Sequence, residues 1–281
     1  MIDERADDEP ITPAGGHVHD DHPLHGANPA LAGEPAAEKH WLRRPVATGV
    51  ALCATVALLL LVNYTTHRIT WIANLPDLTT ALLFVAALSA IAWWSGHGLE
   101  EVGLARDTWR PGVAWSVFLI TVIGSVYVVG ALLPMTRGLF TDERYADLSF
   151  GEVLIQVFII VPFATVLPEE LAFRGVLFGL ALRQWPILPA TAFSASLFGL
   201  WHVLTSLHLD TQKPALTTLL GHSTWAAVLA DLGAVVFTGL SGAVFCELRR
   251  HSRSLLVPMS LHWATNALGY LVGFLVRVHG L

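Results

Sequence analysis

Two adjacent glutamates and a nearby arginine interrupt an apolar stretch, and they are the first candidates for chemistry. They lie in the sequence Pro168-Glu169-Glu170-Leu171-Ala172-Phe173-Arg174. Glu170 and Arg174 are four residues apart, so on a helix they share a face and can form an ion pair. Glu169 lies about 100° round the same helix and has no such local partner. A carboxylate left free in an apolar cavity is suited to act as a general base, although a structural salt bridge between helices would use the same residues.

Two further motifs place histidines inside apolar stretches. The first is Phe198-Gly199-Leu200-Trp201-His202, and the second is His262-Trp263-Ala264-Thr265-Asn266. His262 and Asn266 are four apart and share a helical face, so together they could bind a water molecule, a metal or a developing oxyanion. Taken singly, each motif is also explained by packing or by a hydrogen bond between helices.

Considered together, the polar residues favour one shared site. Ionisable groups inside a bilayer cost several kcal/mol unless they are paired or hydrated, so each one is a functional hypothesis. Glu169, His202, His262 and Asn266 lie on three different apolar spans. A single polar cavity explains this distribution better than four separate structural roles.

The elements that carry these residues are predicted to be membrane helices. The chain has 281 residues, of which 54% are hydrophobic and 14% charged, against about 25% charged in an average protein. Its mean hydropathy is +0.57, which argues against a soluble globular enzyme. The net charge of −6 leaves no basic surplus for nucleic acid. Seven apolar runs are long enough to span a bilayer: 46–66, 78–99, 111–136, 153–182, 184–209, 214–246 and 254–276. The fourth run is interrupted by Glu169-Glu170 and the sixth by Asp231.

The N-terminal 42 residues differ in composition from the rest. Residues 1–40 hold nine of the 22 carboxylates and two of the 16 Lys and Arg residues, and their histidines include His17, His19, His22 and His25. Such a segment buries too little apolar surface to fold, so residues 1–42 are predicted to be a disordered, acidic, histidine-bearing tail. Residues 43–281 form the membrane-embedded domain. With the tail in the cytoplasm, nine Lys and Arg residues flank the helices on that side and five on the other, which favours this orientation.

The three motifs in this order resemble the CPBP family of intramembrane proteases, also called the ABI family. The run Glu169-Glu170-x-x-x-Arg174 is followed by Phe198-x-x-x-His202 and then by His262-x-x-x-Asn266. The family includes the type II CAAX prenyl endopeptidases and bacterial proteins of bacteriocin processing and self-immunity. The resemblance covers about residues 80–275.

The resemblance implies an all-α, polytopic bundle of about seven to eight transmembrane helices that acts as an endopeptidase. It implies that Glu169 and His202 activate a water molecule, while Glu170, Arg174 and the motif residue Phe198 support the site. His262 and Asn266 would hold the oxyanion. The family has been described both as metalloproteases and as metal-independent glutamate peptidases. The cofactor is therefore none or one divalent metal, most simply Zn²⁺, for which Glu169, His202 and His262 are the ligand set.

The expected partners are a membrane-associated protein or peptide substrate and the lipid bilayer, in the plasma membrane, with no nucleic acid. A prenylated CAAX protein, a peptide leader and a membrane-anchored regulator all remain open as substrates. Two other interpretations also remain. Gly239-Leu240-Ser241-Gly242 resembles the serine motif of rhomboid proteases, with His262 as its base. A non-catalytic transporter or scaffold could instead use buried carboxylates, including Asp231, to relay protons or bind a partner helix.

Overall fold

A computed structural model describes residues 36–73, 76–140, 147–207, 221 and 223–279. For residues 36–46, 71 and 73 only the backbone is described. The chain divides into two units, Met1–His40 and Trp41–Leu281, and the candidate residues all belong to the second. Most of the predicted tail lies outside the described residues, so its disorder stays a prediction. The predicted boundary at residue 42 falls inside the first helix, which begins at Ala36.

The described part of the chain is helical and contains no β-strand, as the all-α prediction requires. Short helical turns connect the long helices at Thr70–Ala73, Leu99–Val102, Arg106–Thr108, Arg137–Phe140 and Val203–Ser206. The long helices are α1 (Ala36–Arg68), α2 (Asp77–Trp94), α3 (Trp109–Leu132), α4 (Phe150–Leu182), α5 (Ile187–Trp201), α6 (Thr224–Ser252) and α7 (Leu256–His279).

Each of the seven predicted spans contains a helix in its described part, but fewer are long and apolar enough to cross a membrane. Five candidates in the described residues meet that description: four lie in α1, α2, α4 and α6, and the fifth runs from Leu99 to Leu132 and includes α3. Helix α5 has 15 residues, which gives about 22 Å against the ~30 Å hydrocarbon core. Helix α7 has 24 residues, but polar side chains such as His262 and Asn266 dilute its apolar character. Helices α5 and α7, which each carry one histidine motif, are thus the two long helices outside the five candidate spans.

Helix α4 departs twice from regular α-helical geometry. Its segments Gln156–Val166 and Leu171–Leu177 are π-helical, and the single α-helical stretch between them is Leu167–Glu170. Pro162 lies inside the first π segment, where its missing N–H removes one helical hydrogen bond. The π geometry is rare and is frequently found at functional sites. The two adjacent glutamates end the short α-helical stretch.

Helices α5 and α6 approach each other closely through small residues. A Cβ atom added at Gly199 would lie 2.8 Å from the carbonyl oxygen of Val235 and 3.2 Å from the Cα of Gly239. A Cβ at Gly242 would lie 3.2 Å from the Cα of Ala195. Small residues of this kind let two membrane helices pack backbone to backbone. The Gly239-Leu240-Ser241-Gly242 sequence therefore has a packing role.

The connection between α2 and α3 is held by arginines from other helices. Arg183 donates to both carboxylate oxygens of Glu101, at 2.7 and 2.5 Å. Arg249 donates to the carbonyl of Glu101 at 2.8 Å. His97, in the same connection, is 8% exposed, and neither of its ring nitrogens has a hydrogen-bond partner in the described structure. Charged groups at the end of the bundle thus fix this segment beside α4 and α6.

Candidate active site

The paired carboxylates of α4 are buried in the bundle. Glu169 is 9% exposed, and Glu170 and Arg174 are completely buried. Arg174 donates from Nη1 to Glu170 Oε1 at 3.0 Å. The ion pair predicted from the four-residue spacing is therefore present. It neutralises Glu170 and leaves the neighbouring carboxylate for other contacts.

Aromatic rings surround the Arg174 guanidinium on its remaining sides. Its Cζ lies 4.0 Å from the ring centroid of Phe198, 4.8 Å from that of Phe245 and 5.8 Å from that of Phe173. A desolvated cation gains electrostatic stabilisation from such ring faces. The absence of a side chain at Gly242 leaves room for this arrangement, since a Cβ there would lie 3.3 Å from Arg174 Nη2. Phe198 was a predicted supporting residue, whereas Phe173 and Phe245 were not singled out from the sequence.

His262 on α7 lies between the two glutamates. Its Nδ1 is 2.8 Å from Glu170 Oε1, and its Nε2 is 3.8 Å from Glu169 Oε2. Because an ionised carboxylate only accepts, Nδ1 carries a proton and donates to Glu170. In the neutral ring Nε2 is then unprotonated and faces Glu169. The ring of Phe245 stacks on the imidazole, with the centroids 5.3 Å apart.

His202 approaches Glu169 from the end of α5. This residue caps the helix, and its Nδ1 donates to the carbonyl of Phe198 at 2.8 Å. Its Nε2 is directed at Glu169 Oε2 from 3.9 Å. The tautomer of His202 is fixed in the same way as that of His262, so both rings direct Nε2 at one carboxylate oxygen.

The two oxygens of Glu169 have different surroundings. Oε1 accepts a hydrogen bond from Trp201 Nε1 at 3.0 Å. Oε2 is buried and has no hydrogen-bond partner among the described residues. A buried acceptor without a partner costs about 1–3 kcal/mol, and more when it is charged, so this oxygen is a candidate to bind a water molecule or a ligand group. Trp201 precedes His202 in the first histidine motif, but the sequence pattern did not indicate a hydrogen bond from Trp201 to Glu169.

The formal charges of the cluster have an excess of one negative charge. Two ionised carboxylates face one guanidinium, which leaves one negative charge uncompensated. In a low-dielectric interior an uncompensated charge is costly. His202 and His262 are the imidazoles that lie nearest this carboxylate, at 3.9 and 3.8 Å from Glu169 Oε2.

Asn266 lies apart from these contacts. It is exposed, one turn beyond His262 on α7, and no hydrogen bond to its side chain is seen in the described structure. The predicted role of Asn266 as an oxyanion donor stays a prediction.

The serine alternative finds no support in the described contacts. Ser241 is half-buried on α6, and no contact joins it to His262 there. His262 instead contacts both glutamates. Asp231, which kept a transporter interpretation open, is half-buried on the same helix.

The predicted metal ligands do not form a metal-binding group. Glu169, His202 and His262 do converge, at the distances given above. However, within the described ranges no group of three or more His, Cys, Asp and Glu side chains has the arrangement that holds a metal ion. The classification of the chain as a metalloprotease is therefore not supported by the described residues.

Residues 151–268 match the family described as type II CAAX prenyl endopeptidase Rce1-like. The match confirms the resemblance predicted from the sequence, and it covers Glu169, His202, His262 and Asn266. It points to a protease and, with the apolar helices, to an integral membrane protein. No curated protein and no solved structure matches the chain. Helices α1, α2 and α3 lie outside the matched segment.

Proposed function

We propose that this protein is an intramembrane endopeptidase that hydrolyses a peptide bond of a membrane-associated protein or peptide. The observation that carries the proposal is the surroundings of Glu169 Oε2. This buried atom lies 3.9 Å from His202 Nε2 and 3.8 Å from His262 Nε2, and it has no hydrogen-bond partner among the described side chains. Two imidazole nitrogens from different helices thus converge on one carboxylate oxygen, which is the arrangement that a general base and a bound water require.

The spacing suits a bridging water molecule. Polar atoms more than 3.5 Å apart do not bond directly and are commonly joined through water. An oxygen about 2.8 Å from each partner spans the 3.9 Å between Glu169 Oε2 and His202 Nε2. Water bound there donates one proton to the carboxylate and the other to the imidazole. Its oxygen lone pair is then directed at an incoming carbonyl carbon.

The reaction follows from these positions. As the water oxygen bonds to the scissile carbonyl carbon, Glu169 takes its proton and the carbonyl electron pair moves onto oxygen. The oxyanion is stabilised by donors at His262 and Asn266, each contributing about 3 kcal/mol. His262 donates from Nε2 only as an imidazolium, because its Nδ1 proton is held by Glu170. When the oxyanion collapses, the C–N bond breaks and the proton on Glu169 passes to the leaving nitrogen.

The substrate class follows from the matched family. Its description names CAAX prenyl endopeptidases, so we infer a substrate held at the bilayer, with the scissile bond brought to the end of α5 and the centre of α4. We also infer that the protein lies in the plasma membrane with its N-terminus in the cytoplasm. The nine-to-five distribution of Lys and Arg supports that orientation.

A peptidase assay on detergent-purified protein tests the proposal. Wild type, Glu169→Gln and His202→Ala are compared on quenched peptides with and without a farnesyl group. Glu247→Gln is the matched control, since this carboxylate is exposed on α6 and outside the site. We expect the first two variants to lose cleavage while keeping helical circular dichroism, and the control to cleave normally.

Each other outcome of this assay has a defined meaning. Normal cleavage by Glu169→Gln would refute the glutamate mechanism, and loss of cleavage in Ser241→Ala would then favour the serine alternative. Loss of activity with a chelator, and its return with Zn²⁺, would show that the enzyme depends on a metal and would contradict the metal-free mechanism. Cleavage of farnesylated peptides alone would establish a prenyl-dependent substrate.

A further inference from the structure

The indole of Trp201 donates a hydrogen bond to one oxygen of Glu169 and is itself packed between two aromatic rings. Its Nε1 donates to Glu169 Oε1 at 3.0 Å. Its ring stacks on Phe84 of α2, with centroids 6.0 Å apart and an interplanar angle of 14°. The ring of Phe173 on α4 meets it edge to face at 5.9 Å and 71°. The indole plane is therefore fixed by rings from two other helices.

A side chain on α1 fixes the backbone of the same residue. Asn63 donates from Nδ2 to the carbonyl oxygen of Trp201 at 2.8 Å. Helix α5 ends at Trp201, and the last carbonyls of a helix have no intrahelical partner. Asn63 supplies the missing donor. Both Asn63 and Phe84 lie outside the segment 151–268 that matches the protease family.

We propose that Trp201 is a positioning residue for Glu169, and that Asn63 and Phe84 hold Trp201 in place. This inference rests on the proposed function, in which Glu169 is the general base. Hydrogen bonding of Oε1 to the indole leaves the carboxylate one orientation, in which Oε2 faces His202 and His262. The first two helices thereby belong to the active site, although neither contributes a group that reacts.

Without the hydrogen bond from Trp201, the carboxylate of Glu169 would be free to rotate. The terminal torsion of glutamate is broad, so rotation about it would exchange or displace the two oxygens. Displacing a catalytic group by about 1 Å can cost 10²-fold in rate. A donor to an ionised acceptor is stronger than a neutral hydrogen bond, and here it selects the orientation in which water is activated.

Two substitutions at Trp201 separate its hydrogen bond from its packing. Trp201→Phe keeps an aromatic ring for Phe84 and Phe173 but removes the donor. Trp201→His loses much of the ring area but places an N–H close to the position of the indole donor. We expect kcat to fall about 10- to 100-fold in Trp201→Phe, with KM within about twofold of wild type. Trp201→His should recover a large part of kcat in spite of lower thermal stability.

Trp263→Phe is the matched control. Trp263 also donates its indole N–H at 2.8 Å, but to the backbone carbonyl of Val157. The same chemical change is thus made away from Glu169. We expect this variant to lose thermal stability while kcat stays close to wild type. Asn63→Asp, which removes the donor to the Trp201 carbonyl, should lower kcat less than Trp201→Phe does.

An infrared measurement tests the inference without any substrate. The carboxylate stretching band of Glu169 is assigned by subtracting the spectrum of Glu169→Gln from that of wild type. We expect the band to shift in Trp201→Phe and to be unchanged in Trp263→Phe. An unshifted band in Trp201→Phe would overturn the inference.

The kinetic outcomes distinguish this inference from the proposed function. If Glu169→Gln is inactive while Trp201→Phe has the kcat of wild type, the positioning role is wrong and the proposed function stands. If Trp201→Phe and Trp263→Phe lose kcat equally, the effect is general packing and the inference also fails. If Glu169→Gln cleaves normally, the proposed function itself is wrong.

Discussion

Replacing Glu170 by glutamine should destabilise the protein strongly, although glutamine has almost the same shape. The Glu170 carboxylate is completely buried. Its Oε1 accepts from Arg174 at 3.0 Å and from His262 at 2.8 Å. Glutamine keeps one acceptor oxygen but carries no charge. The guanidinium of Arg174 would then be a buried cation without a carboxylate partner.

The magnitude follows from the burial of both partners. Removing one member of a buried ion pair costs about 3–5 kcal/mol, because the other charge is left uncompensated. The ring of Phe198, 4.0 Å from the guanidinium, contacts Arg174 in both proteins, so it does not change this difference. We therefore expect Glu170→Gln to lower the free energy of unfolding by about 3 kcal/mol. The double variant Glu170→Gln with Arg174→Met should lose less than the sum of its two single variants, since no unpaired charge remains.

The assay is unfolding in mixed micelles with increasing sodium dodecyl sulfate, followed by circular dichroism. Glu247→Gln is the control, because Glu247 pairs with Arg250 at 2.6 Å in an exposed ion pair, and such pairs contribute little. Its unfolding midpoint should equal that of wild type. The explanation would be refuted if Glu170→Gln unfolded at the same midpoint as Glu247→Gln, or if the losses of the two single variants simply added.

Two further predictions concern packing and pH. Gly199→Ala should lower the free energy of unfolding by about 1–3 kcal/mol, because its Cβ would lie 2.8 Å from the carbonyl oxygen of Val235. The control is Gly233→Ala on α6, where an added Cβ meets no atom within 4 Å. This variant should be as stable as wild type or more stable in micelle unfolding. Burial lowers the pKa of His97 from 6.5 to about 4, so the unfolded state takes up a proton first as the pH falls. Stability should be unaffected above about pH 6.5 and decrease towards pH 4, and His97→Gln should remove that dependence in thermal unfolding at each pH.

The sequence predicted the helices and the ion pair because both depend on local spacing. Long runs without charged residues predicted the membrane spans, and five of them remain long and apolar enough in the described structure. The four-residue spacing of Glu170 and Arg174 predicted their pair, which is present at 3.0 Å. Convergence of Glu169 with His202 and His262 was inferred from the cost of polar groups in lipid, and the structure brings these three together.

Contacts between distant helices could not be predicted in this way. Asn63 and Trp201 are 138 positions apart, and an asparagine near a helix end carries no signal for its partner. Trp201, Phe173 and Phe245 lie in apolar runs where aromatic residues are ordinary. Asn266 lies one turn beyond His262 on the same helix and is exposed, and its role as an oxyanion donor stays a prediction.

The position of His262 links the stability of the site to its chemistry. Its two ring nitrogens face consecutive carboxylates of α4, Nδ1 towards Glu170 and Nε2 towards Glu169. In a regular α-helix consecutive side chains diverge by about 100°. The segments on either side of Leu167–Glu170 are π-helical, and π-helical segments frequently occur at functional sites. Because the hydrogen bond to Glu170 keeps a proton on Nδ1, a second proton can bind the ring only at Nε2, beside Glu169. Loss of the Glu170 charge should therefore remove peptidase activity even in molecules that remain folded.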